Sequence, residues 1–392
     1  MGREILAVKC GRILTPFREI RDGVILIEGG RIFSVGTDGG VAVPCSARIL
    51  DFGEKIAVPG FVDIHTHGGG GVDVMEASKE KIERLAVFAA SHGVTSILPT
   101  TVSAPHESLI KIVETLGELV GRETGGAEVL GINLEGPYIN PEKRGAQPAE
   151  YIRPPSIHEF RELWEASGRS VKIVTLAPEI EGAGKLVAEL RRLGIVASVG
   201  HSDATYGEVL EAVRLGLSHA THTFNAMRGF HHREPGVVGA VLLSRELTAE
   251  VISDNVHVHP EAVKLLVRMK GARLTTLVTD SIMAAGMPDG EYRLGGQRVI
   301  VRNGVCRIES GSLAGSTLTM DTAVRNTMEA TGLPLRTVVK MATVNPARIA
   351  GVWERKGSIE PGKNADITII DDRVNVYTTI VRGKIVFQAP QI

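Results

Sequence analysis

The chain has 392 residues, of which 43% are hydrophobic and 23% are charged, and its formal net charge is −1. Such a chain can bury one large core and a smaller accessory domain, and its balanced charge excludes recognition of nucleic acid or membrane through a strong charge excess. Three unclustered cysteines exclude a disulfide framework and a zinc ribbon, and no apolar run is long enough to cross a membrane. We therefore expect a cytoplasmic protein with a small-molecule partner.

Short strands with turn signals occur at both ends of the chain. Residues 4–58 contain ILAVKCGRILTP, DGVILIEGGRIFSVG and ARILDFGEKIAVPG, and the C-terminal ADITIIDDRVNVYTTIVRGKIVFQ has the same hairpin pattern. Neither end has enough strands to be stable alone. We therefore predict that residues 1–58 and 353–392 form one small β-sandwich domain.

Strands and helices alternate between residues 59 and 352. Eight strands are predicted at GFVDIHTH, VTSILPT, EVLGINLEG, VKIVTLAPE, IVASVGHS, SHATHTFN, AEVISDN and LTTLVTD. Amphipathic helices are predicted over 78–92, 105–120, 181–194, 204–216 and 259–270. Such alternation implies a parallel sheet with right-handed crossovers, and eight strands permit a closed (β/α)8 TIM barrel of the α/β class. Segment 290–316 interrupts the pattern and is predicted to be a hairpin-like insertion.

Six segments end a predicted strand or follow it closely with a side chain that can bind a metal or move a proton. They are IHTHGG with His65 and His67, NLEGPY with Glu135, VGHSDA with His201, THTFNAM with His222, DNVHVHP with His257, and LVTDS with Asp280. The carboxyl ends of barrel strands converge on one mouth, so these side chains can meet there. Taken singly, each histidine could be a satisfied core residue and the glutamate a loop acid. Their shared position favours a metal site.

Asp280 is the predicted general base. At the end of the eighth strand, its carboxylate could take a proton from an activated water and return it to a leaving amine. A helix N-cap is the ordinary alternative for this residue, and Asp254 after the seventh strand is a rival base. The cluster His231-His232-Arg233 could hold a phosphate, or it could be a solvated turn.

Several longer strings resemble the N-acetylglucosamine-6-phosphate deacetylase family of the amidohydrolase superfamily. They are PGFVDIHTHGGGG, LEGPYINPEKRGA, GHSDATY, THTFNAMRGFHHREPG, DNVHVHP, LVTDS and LAGSTLTM. The resemblance covers almost the whole chain. It implies hydrolysis of the acetamido group of N-acetylglucosamine 6-phosphate to glucosamine 6-phosphate and acetate, in amino-sugar catabolism or recycling. It also implies one or two divalent ions per subunit, zinc or iron, and a homodimer.

The resemblance assigns roles residue by residue. It implies that the main metal ligands are Glu135, His201 and His222, that a second ion is held by His65 and His67, and that Asp280 is the catalytic acid and base. The implied substrate-binding residues are Ala146, Gln147, Asn225, Ala226, Arg233, His257, Leu313, Ala314 and Gly315. At position 147 the family usually has a histidine that touches the sugar, so the preferred hexosamine could differ here.

Two other functions stay open at the level of the sequence. N-acetylgalactosamine-6-phosphate deacetylation needs the same catalytic groups, and a non-enzymatic scaffold could keep the amidohydrolase fold without its chemistry. Other amidohydrolases bridge two metals with a carboxylated lysine after the fourth strand, but VTLAPE has none. We therefore expect Glu135 to supply the bridging carboxylate.

Overall fold

The strands between residues 5 and 59 form one part of a terminal sheet. In the computed structural model, which describes residues 5–390, they are β1 (Ile5–Leu14), β2 (Glu19–Glu28), β3 (Arg31–Thr37), β4 (Arg48–Asp51) and β5 (Ile56–Pro59). Strand β2 pairs antiparallel with β1 and β3, whereas β4 and β5 run parallel to β1. Alternate residues of β1, such as Leu6 and Val8, point into one apolar cluster, as the two-residue period of a strand requires.

A second, parallel sheet begins directly after β5. Its region contains β6 (Phe61–Thr66), β7 (Gly68–Gly69), β8 (Val72–Asp73), β9 (Val94–Thr101), β10 (Glu128–Val129), β11 (Ile132–Glu135), β12 (Val171–Leu176), β13 (Val196–Val199), β14 (Leu217–Ala220), β15 (Thr248–Ile252) and β16 (Thr275–Val278). Strands β7 and β8 form a separate two-stranded hairpin, and β10 and β11 are two pieces of the third barrel strand. The eight predicted strands are all present.

The parallel sheet closes on itself. The order runs β6, β9, β11, β12, β13, β14, β15, β16, and neighbouring strands pair in parallel. Thr66 and Ser281 form a parallel bridge at the seam, and the Asp280 N–H donates to the His65 carbonyl oxygen over 2.9 Å. The predicted (β/α)8 barrel is confirmed. Its closure brings the end of the first strand next to the end of the eighth.

Helices cover the outside of the barrel. They are α1 (Lys79–Ser91), α2 (His106–Leu119), α3 (Ile157–Ala166), α4 (Ala183–Leu193), α5 (Tyr206–Leu215), α6 (Gly236–Leu243), α7 (Pro260–Lys270), α8 (Met320–Thr331), α9 (Leu335–Met341) and α10 (Val344–Ile349). Local signals start and stop them. Thr205 and Glu208 form a capping box at α5, and α4 ends at Gly194 in the left-handed conformation. Apolar faces of the helices and strands share one large core. Among the described residues, no helix is long and apolar enough to cross a membrane.

The predicted insertion after the eighth strand is a small antiparallel sheet. It consists of β17 (Gly290–Leu294), β18 (Gln297–Arg302) and β19 (Val305–Arg307). Its apolar side chains Leu294, Val299 and Val301 pack against Val102 and Ile282 near the mouth of the barrel. The insertion thus contributes one wall above the carboxyl ends of the strands.

The C-terminal strands complete the terminal sheet. They are β20 (Ile367–Ile370), β21 (Val376–Val381) and β22 (Lys384–Gln388). Strand β20 pairs antiparallel with β5, so both ends of the chain share one eight-stranded sheet. Residues Ile25, Ile32, Ile367 and Ile380 from both segments lie in the same apolar cluster. We propose that the domain boundaries lie near residues 58 and 352, because β5 ends at 59 and α10 ends at 349.

Candidate active site

Two groups of buried side chains at the barrel mouth could each hold a metal ion. One group is Glu135, His201 and His222, and the other is His65, His67 and Asp280. Within each group, one ligand atom from every residue lies within 4.8 Å of the others. The groups come from five separate strands and the loops that follow them, so only the closed barrel brings them together.

The first group is centred on one oxygen of Glu135. Its Oε1 lies 2.9 Å from His222 Nε2 and 3.2 Å from His201 Nε2, and the two imidazole nitrogens are 3.1 Å apart. His201 Nδ1 donates to the carbonyl oxygen of Lys143 over 2.8 Å, which leaves the lone pair of Nε2 facing the group. The His222 ring differs, because its Nδ1 has no hydrogen-bond partner among the described residues.

The other oxygen of Glu135 reaches the second group. Glu135 Oε2 lies 3.2 Å from His67 Nε2. Asp280 Oδ1 lies 3.2 Å from His67 Nε2 and 3.5 Å from His65 Nε2. Glu135 therefore stands between the two groups, in the position of a bridging carboxylate.

The hydrogen bonds of His65 and His67 test whether a metal fits. His65 Nδ1 donates to Glu250 Oε2 over 3.0 Å, and His67 Nδ1 donates to the Thr100 carbonyl oxygen over 3.1 Å. Since these oxygens can only accept, both rings carry a proton on Nδ1. The two Nε2 atoms then direct lone pairs at each other over 3.3 Å and at Asp280. Either a proton on Nε2 or a metal ion removes the repulsion between these lone pairs, so the donor set fits a divalent metal.

The charges around the two groups favour a cation as well. Burial lowers the pKa of His65, but Glu250, Glu135 and Asp280 outweigh it and raise that pKa to about 9. For His67, hydrogen bonds to Asp280 and Glu135 likewise outweigh burial and raise the pKa to about 10. Burial raises the pKa of both carboxyls, but the histidines hold the pKa of Glu135 and of Asp280 below the usual range. A site that stabilises a protonated imidazole in this way also stabilises a divalent ion.

Three of the six residues lie on left-handed backbone immediately after their strands. The φ angles are 47° at His201, 28° at His222 and 47° at Asp280. For residues other than glycine this conformation costs of the order of 1 kcal/mol and is typical of functional sites. These three side chains therefore do not follow the alternation of the strands that precede them.

A cavity of about 610 Å³ lies above the two groups. Of the predicted substrate-binding residues, seven line it: Ala146, Gln147, Asn225, Ala226, His257, Leu313 and Gly315. Ala314 is fully buried behind this wall. Arg233 is exposed in the loop before α6 and is not among the lining residues, and its Nη1 lies 2.8 Å from His232 Nε2. The structure thus brings the predicted sugar residues together but leaves the predicted phosphate arginine outside the cavity of its own chain.

Gln147 is engaged at both ends of its amide. Its Oε1 accepts from the Ser103 N–H over 2.7 Å, so its Nε2 must be the end that donates to Glu135 Oε2, also over 2.7 Å. A backbone N–H can only donate, which fixes the orientation of the amide. One Nε2 hydrogen and one Oε1 lone pair remain for a further contact, such as a contact to a sugar.

The rival base Asp254 has another role in this geometry. Its Oδ1 accepts from the N–H groups of Val256 and His257, and its Oδ2 accepts from His257 Nδ1 over 2.6 Å. His257 lines the cavity. Asp254 thus holds His257, and Asp280 is the aspartate that belongs to a metal-binding group, the one with His65 and His67.

Sequence reasoning missed two features of the site. Lys143 and Arg144 line the cavity, although the sequence offers only a polar loop at that point. Glu250 lies fully buried in β15, where it contacts His65 and His219. A single carboxylate within the apolar run AEVI was the available signal for it.

The chain is similar to known proteins along almost its whole length. The amidohydrolase family model matches residues 56–386. The chain is 38% identical to N-acetylglucosamine-6-phosphate deacetylase of Bacillus subtilis (strain 168), over 98% of each protein. It is 39% identical to N-acetylgalactosamine-6-phosphate deacetylase of Escherichia coli O157:H7, over 96% of this chain and 98% of the relative. Among solved structures, a mutant Mycobacterium smegmatis N-acetyl-D-glucosamine-6-phosphate deacetylase in complex with N-acetyl-D-glucosamine-6-phosphate superposes with a TM-score of 0.92 at 34% identity, covering 98% of this chain and 100% of the other. The chain therefore belongs to the amidohydrolase family.

Proposed function

We propose that the chain removes the acetyl group from N-acetylglucosamine 6-phosphate, giving glucosamine 6-phosphate and acetate. The observation that carries this function is the position of Asp280, which touches His65 and His67 at the floor of the cavity. An acid–base group beside two metal-binding groups suits hydrolysis of an amide. Relatives with this activity align over nearly the whole chain.

The metal-binding residues would be Glu135, His201 and His222 for the first ion, with His65 and His67 for a second. Zinc or iron suits a set of imidazoles and carboxylates. When bound, a divalent ion supplies a more acidic water and polarises the acetyl carbonyl. Three histidines support this assignment, because each has its Nδ1 bound to Glu250, Thr100 or Lys143 and so has Nε2 left for an ion.

Asp280 handles the protons of the reaction. Its pKa is held low, so the carboxylate is ionised near neutral pH and can accept the proton of the attacking water. When the tetrahedral adduct collapses, the same carboxyl returns this proton to the departing amine nitrogen. Asp280 thereby moves the proton from the attacking water to the amine nitrogen, and no covalent enzyme intermediate is needed.

Substrate recognition is expected on the wall above these residues. Asn225, Ala226 and His257 line the cavity. We propose that Arg233 contributes to phosphate binding, and its place outside its own cavity suits a contribution to a neighbouring subunit of a homodimer. A charged, bidentate grip from arginine is well matched to a phosphate dianion.

The direct test is release of acetate by the purified protein, together with its content of zinc and iron. We expect acetate from N-acetylglucosamine 6-phosphate and at least one ion per chain. N-acetylgalactosamine 6-phosphate is the second candidate substrate, because the Escherichia coli relative named for it is 39% identical. Comparing kcat/KM on the two epimers separates the candidates. A protein that binds no metal and hydrolyses neither sugar would be a scaffold.

A cytoplasmic location and a homodimer remain predictions from the sequence. Light scattering of the purified protein would test the dimer, since a homodimer has twice the mass of one chain. Fractionation of the source cells would test the location.

A further inference from the structure

Glu250 contacts one residue from each metal-binding group. It lies in β15 with no exposed surface. Its Oε2 lies 3.0 Å from His65 Nδ1 and accepts from the His222 backbone N–H, also over 3.0 Å. Its Oε1 lies 3.0 Å from His219 Nε2. A single carboxylate therefore satisfies three donors.

The two contacts to the metal-binding groups do different things. On the His65 ring, Glu250 fixes the proton on Nδ1 and so frees Nε2 for a metal. His222 has no partner for its ring Nδ1 among the described residues, and its backbone lies in the left-handed region at φ 28°. The bond from its N–H to Glu250 restrains this backbone on one side, and Asn225 donates to the His222 carbonyl oxygen on the other.

His219 in turn fixes Glu250. Its Nε2 donates to Glu250, and its Nδ1 lies 2.6 Å from Thr248 Oγ1. Both nitrogens of this buried ring are engaged, so His219 is not available to a substrate. It keeps the carboxylate of Glu250 turned so that Oε2 faces both His65 and His222.

We propose that Glu250, held by His219, is a positioning residue that sets the direction of His65 and His222 together and so couples the two ion sites. This inference rests on the proposed function only in that the two groups hold metal ions. Within β15 the neighbours Ala249, Val251 and Ile252 are buried and apolar, and an apolar residue would serve the sheet as well at position 250. Burying a carboxylate costs folding free energy unless hydrogen-bond donors surround it.

The test compares Glu250→Leu with Glu250→Gln. Leucine removes every contact. Glutamine can place its amide oxygen where Oε2 was, and its NH2 can then face His219 if that ring moves its proton to Nδ1 and donates to Thr248. We expect Glu250→Leu to weaken binding of cobalt, measured by competition with a chelator, by about 10- to 100-fold. Glu250→Gln should lose much less cobalt affinity. The visible spectrum of its bound cobalt should stay close to that of the unchanged protein.

A second pair of variants, at position 219, tests the inference if Glu250→Leu does not fold. His219→Gln keeps a donor for Glu250, whereas His219→Leu removes it. The conservative variant should therefore retain cobalt affinity and spectrum, and the leucine variant should lose both. Glu128→Gln is the matched control, since Glu128 is also buried but pairs with Arg355 and Lys356.

Cobalt affinity separates this inference from the proposed function, because it needs no substrate. If the leucine variants at positions 250 and 219 bind cobalt as tightly as the unchanged protein, with the same spectrum, Glu250 is structural only. Equal loss of affinity in Glu128→Gln would also overturn the inference. An unchanged protein that binds cobalt but releases no acetate would refute the proposed function alone.

Discussion

Asp280 Oδ1 lies 3.2 Å from His67 Nε2, so the predicted general base belongs to the same group as the predicted second pair of ligands. The sequence assigns these residues separate roles. The geometry gives Asp280 a second one, as a carboxylate that helps hold an ion beside His65 and His67. Proton transfer and metal retention should therefore change together when this residue is replaced.

Asp280→Asn should lower kcat by at least about a hundredfold, because the amide cannot carry a proton between water and amine. It should also lower the number of ions per chain. The control is Asp254→Asn, which replaces one of the two oxygens that hold His257 by an NH2 group and should raise KM while the ion count is kept. A near-normal kcat for Asp280→Asn, with loss of kcat in Asp254→Asn, would give the role of base to Asp254.

The two metal-binding groups should be separable by counting ions. Glu135 touches both groups, so Glu135→Ala should reduce both ions and abolish activity. Replacing His65 and His67 together by alanine should remove one ion and spare the group of His201 and His222. Metal analysis of protein purified without added metal provides the count. Full ion content in the double variant would mean that the pair are not ligands.

Phosphate binding should depend on arginine. Arg233→Ala is expected to raise KM for the phosphorylated sugar by one to two orders of magnitude, from the loss of about 1.5–3 kcal/mol for a hydrogen bond to a charged group. For unphosphorylated N-acetylglucosamine the effect should be small. Arg144→Ala is the comparison, because Arg144 lines the cavity of its own chain. If only Arg144→Ala shows the phosphate-specific loss, the assignment of Arg233 is wrong.

Gln147 should act on Glu135 more than on the sugar, since the Ser103 N–H fixes its amide so that Nε2 donates to Glu135 Oε2 over 2.7 Å. Gln147→Leu leaves the Ser103 N–H without its acceptor and frees Glu135 Oε2. We expect a lower kcat and weaker metal retention, with KM for the sugar changed less than threefold. A large rise in KM at constant kcat would instead show that Gln147 binds the substrate directly.

Acid stability should depend on Glu128, a buried residue of β10. Burial raises its pKa, but Lys356 and Arg355 outweigh it and lower the pKa from 4.5 to about 2. A folded pKa below the unfolded value stabilises the protein above about pH 4.5, and this contribution is lost as the pH falls toward 2. The shift corresponds to at most about 3 kcal/mol, reduced by the solvent exposure of Arg355.

Chemical denaturation of Glu128→Gln between pH 3 and 7 measures this contribution. The variant should be less stable at pH 7, and the difference from the unchanged protein should shrink as the pH falls. A constant difference across the range would contradict the shift.

The barrel could be predicted from the sequence because each strand is a run of buried β-branched and aliphatic residues closed by a polar side chain. Helix α6 could not be predicted in this way. Its segment GVVGAVLL is apolar on every side and has no amphipathic pattern, so it does not differ from a buried strand in sequence. The placement of Arg233 could not be predicted either, since strand periodicity does not set the direction of a loop side chain.

The contacts around the metal-binding groups could not be predicted from the sequence for a different reason. Residues 65, 219 and 250 are far apart in the chain, and the hydrogen bonds of Glu250 depend on the closure of the barrel. His219 lies in β14, and only its contact with Glu250 connects it to His65. Sequence periodicity shows which residues share a strand end, but not which nitrogen of a ring faces the centre.

The pairing of β5 with β20 has a consequence for synthesis of the protein. Ile56 lies opposite Ile370, and almost the whole barrel is encoded between them. As the chain leaves the ribosome, the edge of β5 has no partner strand until β20 has been synthesised. A transcript cut short before residue 367 would yield a polypeptide that contains every catalytic side chain and still exposes that edge to aggregation.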